Sequence, residues 1–410
     1  MSDIHIGAFR QPELKDLVTK AFDLAIGKCM DEDVDFVIMS GDIFDSNIPD
    51  LSSVRKATGR IREAREKGIR FYVVYGSHDY SPNHASVVDV LESAGLLTKV
   101  DQGHTKEGKL ELDFVADKTG AKICGISGKK LSLDRAEYAS LDRQRLESES
   151  GFKIFAFHGA IDELKPQSLS EMESMPVSYL PAGFDYYAGG HVHSHSSRDL
   201  PGRKNIVYPG PLFATDFRDL EPLAKGAESG FYIVDFEEEV SRITFNPTKV
   251  CDVLGLEYSA DGKDARRTRL DLSELARSSD VEGKVVLLRV HGELSEGSTS
   301  DIGFTLIRKE LASRGSICVL PNLSQFTSKS LLSLPGPPKA PNQTEREFFS
   351  QRIGSVKSPE HRLNGESGTE LSLELLKSLR EERKENETKG DYQERTEKAG
   401  IGVLGLDGDL

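Results

Sequence analysis

Five stretches of this chain place a metal-capable side chain beside an apolar, β-forming run, and all five fall within the first 193 residues. Ser2-Asp3-Ile4-His5 opens the chain. Asp35 to Met39 leads into Ser40-Gly41-Asp42, and Phe71 to Tyr75 into Gly76-Ser77-His78-Asp79. Lys153 to Phe157 ends in His158-Gly159, and Asp185 to Ala188 runs into Gly189-Gly190-His191-Val192-His193. Helical patterns lie between, over Leu51 to Lys67 and Ala85 to Leu97. Strands alternating with helices predict a layered α/β domain. Ligands gather at the carboxyl ends of strands in such sheets, so side chains 190 positions apart can converge.

The residue types narrow the chemistry. Imidazole and carboxylate together bind manganese, iron or zinc, and a carboxylate can bridge two ions. Asp-x-His and His-x-His put alternate side chains on one face of an extended segment. Two ions about 3.5–4 Å apart can activate water and clamp a phosphate in line. Glycines beside the ligands allow tight turns and close approach of backbone to phosphate.

The rest of the composition excludes other classes. The 410 residues suggest two or three domains. With 37% hydrophobic and 29% charged residues, the chain reads as globular. No apolar run nears the roughly 18 residues of a membrane span. No basic stretch precedes an apolar one at the start, so a cytoplasmic location is expected. Cys29, Cys124, Cys251 and Cys318 form no CxxC pair, which argues against a zinc knuckle or redox motif. The formal charge of −14 argues against a passive coat on DNA. It leaves room for a metal-dependent enzyme, because bound ions reverse the local sign.

The organisation reads as four parts. Residues 1–225 carry the α/β pattern. Residues 226–333 read as a small α+β domain, with strands at Gly230 to Phe236 and Lys284 to Val290 and a helix at Phe304 to Ala312. Residues 334–345 form a Pro-rich linker. Residues 346–410 form a helical tail. Thr344 and Glu347 have capping-box spacing, and a helix from Thr369 to Lys384 would align Leu371, Leu375, Leu376 and Leu379.

The ordered set of Asp3-x-His5, Gly41-Asp42, Gly76-Ser77-His78-Asp79, His158 and Gly190-His191-x-His193 resembles the calcineurin-like metallophosphoesterases. Gly41 to Asp45, His158 to Ile161, Gly190 to His193 and Tyr208-Pro209-Gly210-Pro211 are similar to the SbcD-type nuclease subunits of double-strand-break repair. That resemblance implies a sandwich of two β-sheets flanked by helices, with a small α+β capping domain and C-terminal helices. It implies two divalent ions, manganese first among them. Asp3, His5 and His193 would hold one ion and His158 and His191 the other, with Asp42 bridging. His78 would contact the scissile phosphate and act as general acid, and Asp79 would orient His78.

The sequence departs from the family pattern in three places. Ser77 stands where the family has asparagine, a ligand to the second ion. Asp45 stands where archaeal and eukaryotic relatives often have histidine. Only Met1 and Ser2 precede Asp3, so either the start lies upstream or the sheet lacks its first strand.

The resemblance further implies a nuclease acting on single- and double-stranded DNA ends with an SbcC-type coiled-coil ATPase, docked through the C-terminal helices. It also implies a homodimer through the helices near residues 51–67 and 85–97, where Val88, Val90, Leu91 and Leu96 offer a stripe. The alternatives are a stand-alone phosphodiesterase or phosphatase on a small substrate, and a non-catalytic scaffold disabled at Ser77.

Overall fold

Pro12 sits in the first turn of α1 (Pro12–Asp31), where its missing N–H costs nothing and its fixed φ suits a helix. The computed structural model describes residues 1–81, 86–129, 134–166, 171–328, 341–354, 360–381, 384 and 389–405. These divide into two units, Met1–Thr327 and Ser328–Leu410.

In the first unit, α1 is followed by β1 (Phe36–Ser40), α2 (Leu51–Glu66), β2 (Arg70–Val74), α3 (Val87–Ser93) and β3 (Thr98–Lys99). The three strands form a parallel sheet in the order β1-β2-β3. A six-stranded sheet follows, built from β4 (Val115–Ala116), β5 (Lys122–Ile126), β6 (Lys153–His158), β7 (Tyr186–Gly190), β8 (Ser196–Leu200) and β9 (Arg203–Tyr208). Its order is β8-β9-β7-β6-β5-β4, with the four middle strands parallel. Every residue of β6 and β7 is buried, which explains why these runs are continuously apolar rather than alternating. The two sheets and their helices match the layered α/β architecture expected from the sequence.

After α4 (Phe217–Ala224) comes a hairpin of β10 (Gly230–Phe236) and β11 (Val240–Pro247). Its Phe236 ring stacks on Phe152 at 4.0 Å and lies 6.0 Å from Phe36. The hairpin therefore packs on the core of the first 225 residues. Beyond it, β12 (Asp252–Ser259), α5 (Ala265–Ser278), β13 (Lys284–Leu294), α6 (Phe304–Ser313), β14 (Cys318–Asn322) and β15 (Phe326–Ser328) build a small sheet. In it β12, β13 and β14 are parallel, over a separate core that includes Leu272, Val286, Leu288 and Leu311. The basic cluster Arg266, Arg267 and Arg269 lies on the exposed face of α5, with Arg267 2.8 Å from Asp271.

The first residues enter the fold as a segment hydrogen-bonded along β1 and the loop that follows it. The Met1 amino group donates to Ile38 O at 2.9 Å and Ser40 N to Met1 O at 3.0 Å. Asp3 N then donates to Gly41 O, His5 N to Asp42 O and Ile6 N to Ile43 O. A cavity of about 500 Å³ lies beside Phe36, Val37 and Ile38, lined also by Phe152, Ile154 and Tyr232. Burial pushes the Met1 amino group down to about 6.

The second unit contains α7 (Pro341–Gly354), α8 (Gly365–Leu379) and α9 (Lys389–Leu404). Ion pairs from Arg346 to Glu366 and Glu370, and from Arg380 to Glu345, tie α7 to α8. The sequence expectation is corrected at two points. Pro341 and Thr344 already lie within α7, so the linker ends sooner and Thr344 is no N-cap. Helix α8 ends at Leu379 rather than near Lys384. Residues 334–340 of the expected linker lie outside the described residues. No described helix is long and apolar enough to cross a membrane.

Candidate metal centre

The carboxyl ends of β1, β2, β6 and β7 deliver Asp42, His78, His158 and His191, and the first segment delivers Asp3 and His5. Three groups of side chains offer ligand atoms within 4.8 Å of one another. They are Asp3, His5 and His193; His5, Asp42 and His78; and Asp3, Asp42 and His158. Asp42 Oδ2 lies 3.3 Å from His158 Nε2 and 3.6 Å from His5 Nε2, and Asp3 Oδ1 lies 3.7 Å from His193 Nε2.

Backbone geometry shows what this convergence costs locally. Asp3 (φ 51°), His5 (φ 48°), Asp42 (φ 51°) and His191 (φ 90°) all adopt left-handed backbone. Each such residue costs about 1–3 kcal/mol and persists only where the surroundings impose it. Two glycines are forced by proximity. A Cβ on Gly76 would sit 2.1 Å from Asp42 Oδ1, and one on Gly190 would sit 2.0 Å from Ser40 O.

Three imidazoles share one orientation. His158 Nδ1–H donates to Ser40 O at 2.8 Å, His78 Nδ1–H to Asp45 O at 2.7 Å, and His193 Nδ1–H to Asp219 at 3.0 Å. Each bond fixes the tautomer and leaves the Nε2 lone pair free to face the centre. His158 Nε2 and both ring nitrogens of His5 are buried without a hydrogen-bond partner. Buried polar atoms are rarely left so. Orphaned nitrogens, clustered carboxylates and fixed tautomers together fit divalent cations.

The electrostatics mark a site that attracts positive charge, which protons on the imidazoles supply when no cation does. Asp42 is held far below the usual carboxylate range: burial opposes this, but the His158, His5 and His78 imidazoles overcome it. Burial lowers His193, yet its bond to Asp219 and the Asp3 charge lift it to about 9. His191 is pushed down to about 4 by burial and by His158.

The expected residues do not all take the expected places. His191 lies outside the three groups found among the described residues. Its ring sits 5.2 Å from that of His158, and its backbone N–H donates to Asp3 at 2.9 Å. The Asp79 carboxylate accepts from the backbone of Ile43, Phe44 and Gly76, at 3.1–3.2 Å, rather than from His78. Asp79 thus holds the loops after β1 and β2 together, and the Asp45 carbonyl orients His78. His78 is exposed, its ring 4.7 Å from that of His5. Ser77 lines a cavity of about 550 Å³ with His158 and His191. Arg203 is committed to the Leu180 and Pro201 carbonyls.

Asp219 is the participant that sequence reasoning missed. It lies 26 positions from His193 in the first turn of α4, where no spacing rule links the two. An acidic residue there reads as ordinary helix-start chemistry.

Comparison with known proteins agrees with this geometry. Residues 1–195 match the calcineurin-like phosphoesterase family. The chain is 24% identical over 324 residues to the DNA double-strand break repair protein Mre11 of Archaeoglobus fulgidus, covering 70% of this chain and 71% of that one. It is 27% identical over 250 residues to the protein of the same name from Methanococcus maripaludis, covering 57% and 62%. It is 24% identical over 243 residues to the uncharacterized metallophosphoesterase YhaO of Bacillus subtilis, covering 57% and 53%. The chain thus spans between about half and seven-tenths of these relatives. The family match ends at residue 195 and takes in every strand end that bears one of the converging side chains, so residues 1–195 are similar to the calcineurin-like phosphoesterases.

Proposed function

We propose that this metallophosphoesterase is the nuclease subunit of a DNA-end processing complex, hydrolysing phosphodiester bonds with two divalent ions, manganese foremost. The observation that carries the reading is the set of Nε2 atoms and carboxylates around Asp42, held by fixed tautomers and left-handed backbone. Two divalent ions there supply positive charge against a phosphate and acidify water. Asp3, His5 and His193 would hold one ion and His158, with His191 beside it, the other, with Asp42 shared between them. His78, exposed and with Nδ1–H tied to Asp45 O, would give the leaving oxygen a proton from Nε2 when its ring carries a proton on both nitrogens.

DNA is the proposed substrate because relatives named for double-strand break repair align over 57–70% of this chain. The net charge of −14 makes a partner that shares the DNA grip part of the proposal, a coiled-coil ATPase of the SbcC type. The proposed docking element is the second unit, which exposes Phe348, Leu363 and Leu379 at 40–48%. A homodimer is proposed through α2 and α3. Ile48, Leu51 and Val90 there are 79%, 85% and 64% exposed, whereas Val88 and Leu91 of the expected stripe turn inward.

The test combines calorimetry with cleavage. Manganese at 100 times its dissociation constant stabilises the protein by about 2.7 kcal/mol. The wild type then cuts a labelled linear duplex. His78→Ala keeps the thermal shift and loses cleavage by ~10²–10⁴-fold, the size of a general-acid contribution. No thermal shift with any divalent ion would refute the metal centre. Hydrolysis of a nitrophenyl phosphate ester with no cleavage of DNA, even with the ATPase present, would move the assignment to a small-substrate phosphatase.

A further inference from the structure

We propose that Asp219 is a positioning residue that aims His193 at the metal centre, and that α4 carries this aim from the small sheet of β12 and β13. The inference rests on reading His193 as a ligand.

The Asp219 carboxylate meets His193 Nδ1 through both oxygens, at 3.1 and 3.0 Å. It is itself held by Thr215 through two bonds: Thr215 N donates at 2.9 Å and Thr215 Oγ1 at 2.6 Å, both to Oδ2. Asp216 caps the helix by accepting from Arg218 N and Asp219 N. Asp219 therefore has little rotational freedom. A ring whose Nδ1–H is bonded to a fixed carboxylate keeps its Nε2 lone pair on one line, and here that line leads to Asp3 Oδ1 at 3.7 Å. Carboxylates in this relation to a metal-binding histidine commonly account for 10–100-fold in metal affinity.

Helix α4 is anchored on its far side. Leu220 is fully buried, in a cluster with Val285 and Leu287 of β13, and Leu223 and Ala224 pack against the same cluster. Glu221 pairs with Arg289 of β13. Leu220 and Glu221 directly follow Asp219, so a shift of the small sheet against α4 is felt at the carboxylate.

The experiment is manganese titration of the full chain by calorimetry and electron paramagnetic resonance. The variants are His193→Ala, Asp219→Asn, Thr215→Val and Arg289→Ala, each with a metal-free melting curve. Asp219→Asn keeps the size of the side chain and removes its charge. It is expected to weaken one ion 10–100-fold and leave the other unchanged. Arg289→Ala is expected to weaken the same ion by a few-fold, and by nothing further in the Asp219→Asn background, because both act along one line. If His193→Ala loses one ion while Asp219→Asn binds both as the wild type does, the positioning role is refuted. If Asp219→Asn weakens an ion and Arg289→Ala does not, the link to the small sheet is refuted. If His193→Ala itself binds both ions normally, the ligand assignment has failed instead. Thr215→Val separates aim from charge: it leaves Asp219 ionised and bonded to the backbone N–H at position 215 but without the Oγ1 bond, and its spectrum should broaden at that one site.

Discussion

At the scale of single residues, the centre is crowded by design of its backbone rather than by its ligands alone. Gly76 shows this. A methyl group there would meet Asp42 Oδ1 at 2.1 Å and Asp42 N at 2.3 Å. Relief requires moving the Asp42 carboxylate, since the contacting backbone cannot yield. Gly76→Ala should therefore cost about 1–3 kcal/mol, as overpacking does. It should also abolish tight binding of at least one ion. Chemical denaturation and manganese titration of the same sample would check both, and a variant with wild-type affinity would show that Asp42 has more room than the structure gives it.

The residue scale is also where the sequence was most legible. Asp3, His5, Asp42, His78, His158 and His193 are all brought together from a linear pattern, because strand ends in parallel sheets share one edge. Legibility stopped at orientation. Asp79 beside His78 suggested a pair, but Asp79 turns to the backbone N–H groups of Ile43, Phe44 and Gly76. A carboxylate buried without other donors binds the nearest free N–H groups, and loops of two different strands happen to supply them. Asp219 was illegible for the opposite reason: its partner arrives only through tertiary folding.

Among the elements, α2 offers a test that is independent of metal. Its N-cap Asp50 accepts from Ser53 N at 3.0 Å and from Ser53 Oγ at 2.8 Å. These bonds, the backbone one first, bring the Asp50 carboxyl down from 3.8 to about 2. A carboxyl with a lowered pKa stabilises the fold above its unfolded value and ceases to do so as pH falls through the folded one. Asp50→Ala should cost about 1 kcal/mol near neutrality. The difference from wild type should shrink between about pH 4 and pH 2. Urea melts across that range would show it, and a penalty that stayed constant down to pH 2 would mean that the carboxylate contributes nothing as an anion. Elements were read from the sequence with uneven success. The strands at Gly230 to Phe236 and the helix at Leu51 were clear from their patterns. The start of α7 was not, because Pro341 serves as well within a first turn as in a linker.

For the whole molecule, the exposed face of Ile48, Leu51 and Val90 bears on assembly. Leu51, 85% exposed at the start of α2, is the best single probe. In the proposed homodimer it becomes buried, so Leu51→Glu places a charge in an apolar contact. Sedimentation should show a dimer for the wild type and a shift toward monomer of at least 10-fold in dissociation constant for the variant, corresponding to about 1.4 kcal/mol. An unchanged dimer would place the interface elsewhere. The small sheet and the hairpin before it show how domain boundaries blur: composition changes near residue 226, but the apolar face of β10 packs on Phe36 and Phe152.

The bond from His191 N–H to Asp3 joins positions 188 residues apart. For a chain made at about 5–20 residues per second, roughly 10–40 s pass between the synthesis of one partner and of the other. Through that interval Asp3 and His5 exist without the His191 N–H and the His193 ring that later meet them. The centre is therefore among the last parts of the domain to be completed, and a nascent chain that stalls before His193 carries half a metal site and no means of closing it.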